Sequence, residues 1–124
     1  MNTESLTAFQ NDYLATWTEP DAERRLGKIH QMWAPSGRLV VSSLGITLSG
    51  VEEIAAHITR VHDDMIAGKG LIFAYDQAVV ASDALLLRWS MLASSDEVVG
   101  RGADLVFRDS EDRAETVYMF MGVN

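Results

Sequence analysis

Residues 98–107 read Val98-Val99-Gly100-Arg101-Gly102-Ala103-Asp104-Leu105-Val106-Phe107. No helical period runs through them. Strand alternation places Val98, Gly100, Gly102, Asp104 and Val106 on one face, and Val99, Arg101, Ala103, Leu105 and Phe107 on the other. Similar apolar runs flank this one, at about 71–81, 84–93 and 113–122. Between them stand Ser82-Asp83, Ser94-Ser95-Asp96-Glu97 and Asp109-Ser110-Glu111-Asp112, short polar segments of turn-forming residues. Four strands joined by short turns predict an antiparallel meander.

The first half of the chain has a different period. Leu6, Phe9, Tyr13, Leu14 and Trp17 recur at helical spacing and predict a helix over 3–18, with Thr3 or Ser5 as N-cap. Pro20 suits the first turn of a second helix, with Asp21 and Glu23 at its positive end. Leu26, Ile29, Met32 and Trp33 form its apolar stripe, and Pro35-Ser36-Gly37 stops it. Residues 38–42 predict a short strand, and 43–50 a loop or weak second strand. A third helix is expected from Val51 to about Ala67, closed by Gly68-Lys69-Gly70. Helices followed by a meander give an α+β fold, with three N-terminal helices packed on one face of a sheet.

Composition narrows the function. The 124 residues suit one domain, 1–124, large enough to bury a core without staples. Hydrophobic residues at 48% exclude a disordered acidic chain, and the net charge of −8 argues against a phosphate-tracking nucleic-acid binder. The absence of Cys excludes disulfides, thiolate nucleophiles and Cys-based zinc sites. No apolar stretch approaches the roughly 20 residues of a membrane span. Met1-Asn2-Thr3-Glu4-Ser5 lacks the basic and apolar regions of a signal peptide, so a cytoplasmic protein without a membrane partner is expected.

No nucleotide-binding loop or nucleophile elbow is present, and no cofactor is expected. His57 and His62 are five apart, which turns them about 140° from one another on a helix and disfavours a shared metal. His62 reads as a surface residue near a helix C-terminus. His57 lies nearer the apolar stripe, as a hydrogen-bonded core histidine or a site residue. Asp104 stands out most. Two glycines beside it leave space above the sheet, which often marks the close approach of a ligand or another backbone. Desolvation there would raise its pKa and suit it to proton transfer. The alternative is a structural carboxylate satisfied by a helix N-terminus, a Tyr or an Arg. Trp17, Trp33, Trp89, Phe73 and Phe120 either fill a core or line an apolar cavity.

Several stretches together resemble the nuclear transport factor 2-like superfamily, also called SnoaL-like. They are Tyr13-Leu14-Ala15-Thr16-Trp17 followed by Asp21; Met32-Trp33-Ala34; Leu48-Ser49-Gly50-Val51-Glu52-Glu53-Ile54; Leu86-Leu87-Arg88-Trp89-Ser90-Met91; Gly102-Ala103-Asp104; and Val117-Tyr118-Met119-Phe120-Met121-Gly122. The resemblance implies a cone, in which a curved antiparallel sheet wraps around helices and leaves an internal pocket. It also implies a homodimer through the outer sheet face. Compared with ketosteroid isomerase, the oxyanion tyrosine falls on Tyr13 and the oxyanion aspartate on Asp104. The base falls near Val41, where no carboxylate is available, so steroid isomerisation is not expected. Compared with limonene-epoxide hydrolase, Arg88 supplies the arginine, but Ser90 and Tyr118 stand where carboxylates are needed. SnoaL-like polyketide cyclases need one acid–base carboxylate in an apolar pocket, a role open to Asp104 with His57 nearby.

The expected site therefore comprises Asp104 and Tyr13 as catalytic groups. Its expected lining is Trp17, Trp33, His57, Phe73, Trp89, Tyr118 and Phe120. The inward placement of Trp89 takes Arg88 outward, and on the last strand Thr116, Tyr118 and Phe120 are placed toward the pocket. The expected ligand is a small, largely apolar molecule, handled either by isomerase- or cyclase-type chemistry on a carbonyl compound or by binding alone. A dimeric interaction module is the third possibility.

Overall fold

The computed structural model describes residues 2–122. Helix α1, Thr3–Thr18, is capped by Asn2, whose side-chain oxygen accepts from the Ser5 amide at 2.8 Å. The cap thus falls one residue before Thr3 and three before Ser5, the two expected positions. Phe9, Tyr13, Thr16 and Trp17 form its buried side. Helix α2, Ala22–Met32, is capped by Asp21, which accepts from the Arg24 amide at 2.9 Å. Pro20 therefore precedes the cap instead of occupying the first turn.

Strand β1, Trp33–Val41, follows α2 directly. This corrects the placement of Trp33 in the helix and of the strand at 38–42. The Trp33 ring folds back along its own strand over Gly37, where a β-carbon would stand 2.8 Å from Cε3 of the ring. Strand β2, Ile46–Ser49, pairs antiparallel with β1. Gly50 then turns the chain into α3, Val51–Val61, at a φ of 87° that disfavours side-chain-bearing residues. The expected third helix continues to Gly68, but residues His62–Gly68 are π-helical. Strands β3 (Ile72–Ala81), β4 (Ala84–Leu92), β5 (Val98–Arg108) and β6 (Ala114–Met121) complete the chain. Their polar turns carry Ser82, Asp96 and Asp112 at positive φ, as tight hairpins require.

The six strands form one sheet in the order β2-β1-β6-β5-β4-β3. The meander is antiparallel as expected, but β1 pairs with β6 in parallel, so the sheet is not antiparallel throughout. Alternate residues of β4, β5 and β6 meet the helices. Leu85, Leu87, Val106 and Val117 are buried in one core with Tyr13, Ile54 and Ile58. Each such side chain contributes roughly 1.5–3 kcal/mol by leaving water. One transverse row positions the site. Leu87 pairs with Asp104, Asp104 with Met119, and Met119 with Val41. At about 4.8 Å per strand, Val41 lies roughly 10 Å from Asp104 along the sheet.

Candidate functional site

A cavity of about 280 Å³ lies between the sheet and the helices. From the sheet, Val41, Phe73, Tyr75, Trp89, Met91, Asp104, Met119 and Met121 reach it. From the helical side come Leu14, Trp17, His57, Val61 and Met65, and from the β1–β2 turn Ser43 and Leu44. Exposed Leu44 and Met121 mark the mouth. No lysine or arginine lines it.

Asp104 is the carboxylate in this wall and is only 2% exposed. The Trp89 indole donates to its Oδ1 at 3.0 Å. Its Oδ2 makes no hydrogen bond to a described residue, yet it is not sealed from the void. Burial raises its pKa to about 7, against the smaller lowering effect of the Trp89 N–H. The carboxyl is thus poised between its two forms at neutral pH.

Of the two uses expected for the glycines near Asp104, the close approach of another backbone is found at Gly102, and space for a ligand is not. A β-carbon at Gly102 would collide with the Trp89 ring and the Phe120 carbonyl oxygen, and one at Gly100 with the Met91 methyl group. The space above β5 is therefore filled by side chains of β4 and not reserved for a ligand. Gly102 allows the Trp89 ring to lie across β5, with its N–H at Asp104.

His57 lines the cavity with its ring edge-on to Trp17, the centroids 6.3 Å apart. Burial, then the Arg60 charge, lowers its pKa, which favours the neutral ring. Tyr75 also lines the cavity and sits opposite Trp89 in the β3–β4 register. Burial, then the charges of Asp104 and Tyr13, raises its pKa well above the usual phenol value. The Tyr75 hydroxyl therefore remains protonated and able to donate.

Of the expected lining, Trp17, His57, Phe73 and Trp89 reach the cavity. Trp33 does not: it is fully buried in the core, 6.0 Å from the Tyr13 ring. Tyr13 is itself behind the wall, with its hydroxyl buried and without a partner at hydrogen-bond geometry. Burial, then the Asp104 charge, raises its pKa, while the nearby Trp17 side chain opposes the rise. Tyr118 and Phe120 are corrected to the outer face. Tyr118 packs edge-on against Phe107 and accepts from Arg38 at 3.4 Å, and Phe120 is 41% exposed. Val117, Met119 and Met121 take the inward face instead.

Arg88 alternates with inward Leu87 and Trp89, and the Ser90 hydroxyl donates to Asp76, so the hydrolase constellation is not assembled in the cavity. His62 is buried and not a surface residue. Its Nδ1 donates to the Trp17 carbonyl at 2.7 Å, closing the C-terminal end of α1. Among the described residues, no cluster of His, Asp and Glu is placed to hold a metal ion.

Tyr75 was missed from the sequence. Its signal was the i, i+2 pair Phe73 and Tyr75, obscured by the bulge that shifts the register between Tyr75 and Gln77. The methionines Met65, Met119 and Met121 were also missed, because such residues read as core, whereas Met91 lies on the inward face of its strand with Trp89, as expected.

The architecture has close counterparts among solved structures. A SnoaL-like protein of Agrobacterium tumefaciens str. C58, proposed to be an isomerase, matches with a TM-score of 0.82 at 25% identity, covering 94% of this chain and 97% of its own. A nuclear transport factor 2-like protein of unknown function from Exiguobacterium sp. 255-15 matches at 0.73 with 12% identity, covering 94% and 99%. A proposed polyketide cyclase of Sinorhizobium meliloti matches at 0.69 with 13% identity, covering 96% and 99%. No family model and no curated protein matches the sequence. The chain has the nuclear transport factor 2-like, SnoaL-like fold that its motifs resemble.

Proposed function

We propose that this chain binds a small, largely apolar carbonyl compound in its cavity and that Asp104 moves a proton on it, in the manner of an isomerase or cyclase. The carrying observation is a buried carboxyl with one hydrogen bond, one free oxygen and a pKa of about 7 inside an apolar wall. In its ionised form, Asp104 takes a proton from the carbon beside the carbonyl. The C–H electron pair passes into an enolate. Asp104 then returns the proton to another position, so the group ends as it began. The proposed activities of the Agrobacterium and Sinorhizobium proteins support the class of reaction. Val41 in the wall supports setting steroid isomerisation aside, since no second carboxylate stands on the Asp104 row.

Deuterium uptake from heavy water into a panel of ketones tests the proposal. Uptake should rise with pH and level off above about 7, where Asp104 is ionised. Asp104→Asn should slow it by about 10²-fold or more while retaining the circular dichroism spectrum. Wild-type uptake by the variant would overturn the assignment. The apolar Val41 also favours a second reading, binding without turnover, for which the same panel would bind and take up no deuterium.

We further propose a cytoplasmic homodimer joined through the outer sheet face, with neither nucleic acid nor membrane as partner. Exposed Val99 and Phe120 on that face support the dimer, and no helix among the described residues is long and apolar enough to cross a membrane. Sedimentation velocity should show a dimer at micromolar concentration; a monomer would contradict it.

A further inference from the structure

We infer that the cavity takes a neutral carbonyl compound of one or two rings, and that Tyr75, not Tyr13, holds its oxygen. The inference rests on the binding reading above and adds the ligand's size, its charge and its second contact.

Size follows from volume. An apolar cavity of roughly 150 Å³ accommodates benzene, so the same ratio gives about eleven non-hydrogen atoms for a cavity of about 280 Å³. Two fused rings with one oxygen fill that space, whereas three or four fused rings exceed it. Charge follows from the wall. It presents no lysine or arginine to an anion, and its carboxylate repels one once ionised. A phosphate or carboxylate would enter without a partner.

The contact follows from geometry. A carbonyl oxygen and the carbon losing its proton are separated by only two bonds, so the donor to the oxygen must stand near the base. Tyr75 meets that condition. It lines the same cavity as Asp104 and stands opposite Trp89, the residue that holds Asp104. That hydroxyl has no hydrogen bond to a described residue and is not sealed. Tyr13 is sealed behind the wall, and His57 reaches the cavity from α3 on the helical side, not from the sheet that carries Asp104. A donor aimed at the oxygen stabilises the enolate more than the ketone, because charge develops there.

Isothermal titration calorimetry with four probes tests this on the full chain: one-ring cyclohexanone, two-ring 1-tetralone, three-ring anthrone, and tetralin, the hydrocarbon skeleton of 1-tetralone. Wild type should bind 1-tetralone tightest. Tyr75→Phe should weaken 1-tetralone about tenfold and leave tetralin unchanged. Tyr118→Phe, the same chemical change on the outer face, should alter neither. Equal binding of tetralin and 1-tetralone by wild type, or less than twofold loss in Tyr75→Phe, would overturn the role of Tyr75. Tighter binding of anthrone than of 1-tetralone would overturn the size limit. In each of those outcomes the binding reading survives. If no probe binds at millimolar concentration, the binding reading itself fails, and this inference falls with it.

Discussion

Asp104 and Asp109 stand five residues apart, in and just beyond the same strand, in opposite surroundings. Asp109, in the β5–β6 turn, accepts from the Glu111 and Arg113 amides, each at 2.9 Å, and from Arg113 Nε at 3.0 Å. The Arg113 amide leads the groups that hold it below the usual carboxylate range. Asp104, in mid-strand, has one indole donor and burial that drives it up to about 7. The turn uses its aspartate to close a hairpin. The cavity leaves its aspartate half-satisfied, a cost that a purely structural residue would not need to carry.

The largest expected effect separates the two by pH. Asp104 has a folded pKa above its unfolded value, so the penalty for burying its charge is absent at pH below 4. It grows as pH rises and is complete above about 7. The rise from the ordinary aspartate range to about 7 corresponds to about 4 kcal/mol. Asp104→Asn keeps an oxygen for Trp89 and removes the penalty. The stability difference between variant and wild type, from urea unfolding, should therefore grow in the variant's favour from pH 4 to 7. His57, whose folded pKa is lowered, loses stability as pH falls through its unfolded range, but equally in both proteins, so it cancels.

Next comes Gly102→Ala. Its β-carbon would displace Trp89 from above β5 at a cost of about 1–3 kcal/mol, measured the same way. The hydrogen bond to Asp104 should be lost with it. Trp89→Phe removes that bond together with part of the ring packed over Gly102, and should cost at least about 1 kcal/mol at pH 7. It should also move the Asp104 titration midpoint above that of wild type, because the indole is the group that lowers it. Smallest is Asp109→Asn. The folded pKa of Asp109 is depressed, so its contribution is present at neutral pH and lost as pH falls through that value. The variant should melt slightly lower than wild type at pH 7, with the gap closing in acid. A gap that widened in acid would show that the turn does not use the charge.

The fold was legible where polar and apolar residues separate cleanly. Ser82-Asp83 and Asp109–Asp112 interrupt apolar runs, so the β3–β6 meander could be drawn from sequence. Asp104 was legible because it is a lone acid on an otherwise uncharged strand face. Strand β6 was not, since Tyr118 and Phe120 on one face are as apolar as Val117, Met119 and Met121 on the other. One residue of register then exchanges wall for surface. Trp33 was misplaced because the α2 stripe runs into β1 without a break at that position. A close approach at Gly102 was legible, but the Trp89 ring that makes it was not, because that tryptophan stands thirteen residues earlier and crosses from the neighbouring strand. His62 was hidden for a similar reason: the π-helical turn brings it beneath Trp17, a long-range contact that no local spacing encodes.

The contrast between the two aspartates can be measured directly by carbon-13 NMR of the side-chain carboxyl carbons across pH 2 to 10. The Asp104 carboxyl should titrate with a midpoint near 7 and the Asp109 carboxyl below the usual aspartate range. An Asp104 midpoint near 4, alongside ordinary aspartates, would contradict the account, because the carboxyl would then be a solvated anion and not a proton donor and acceptor held in an apolar cavity.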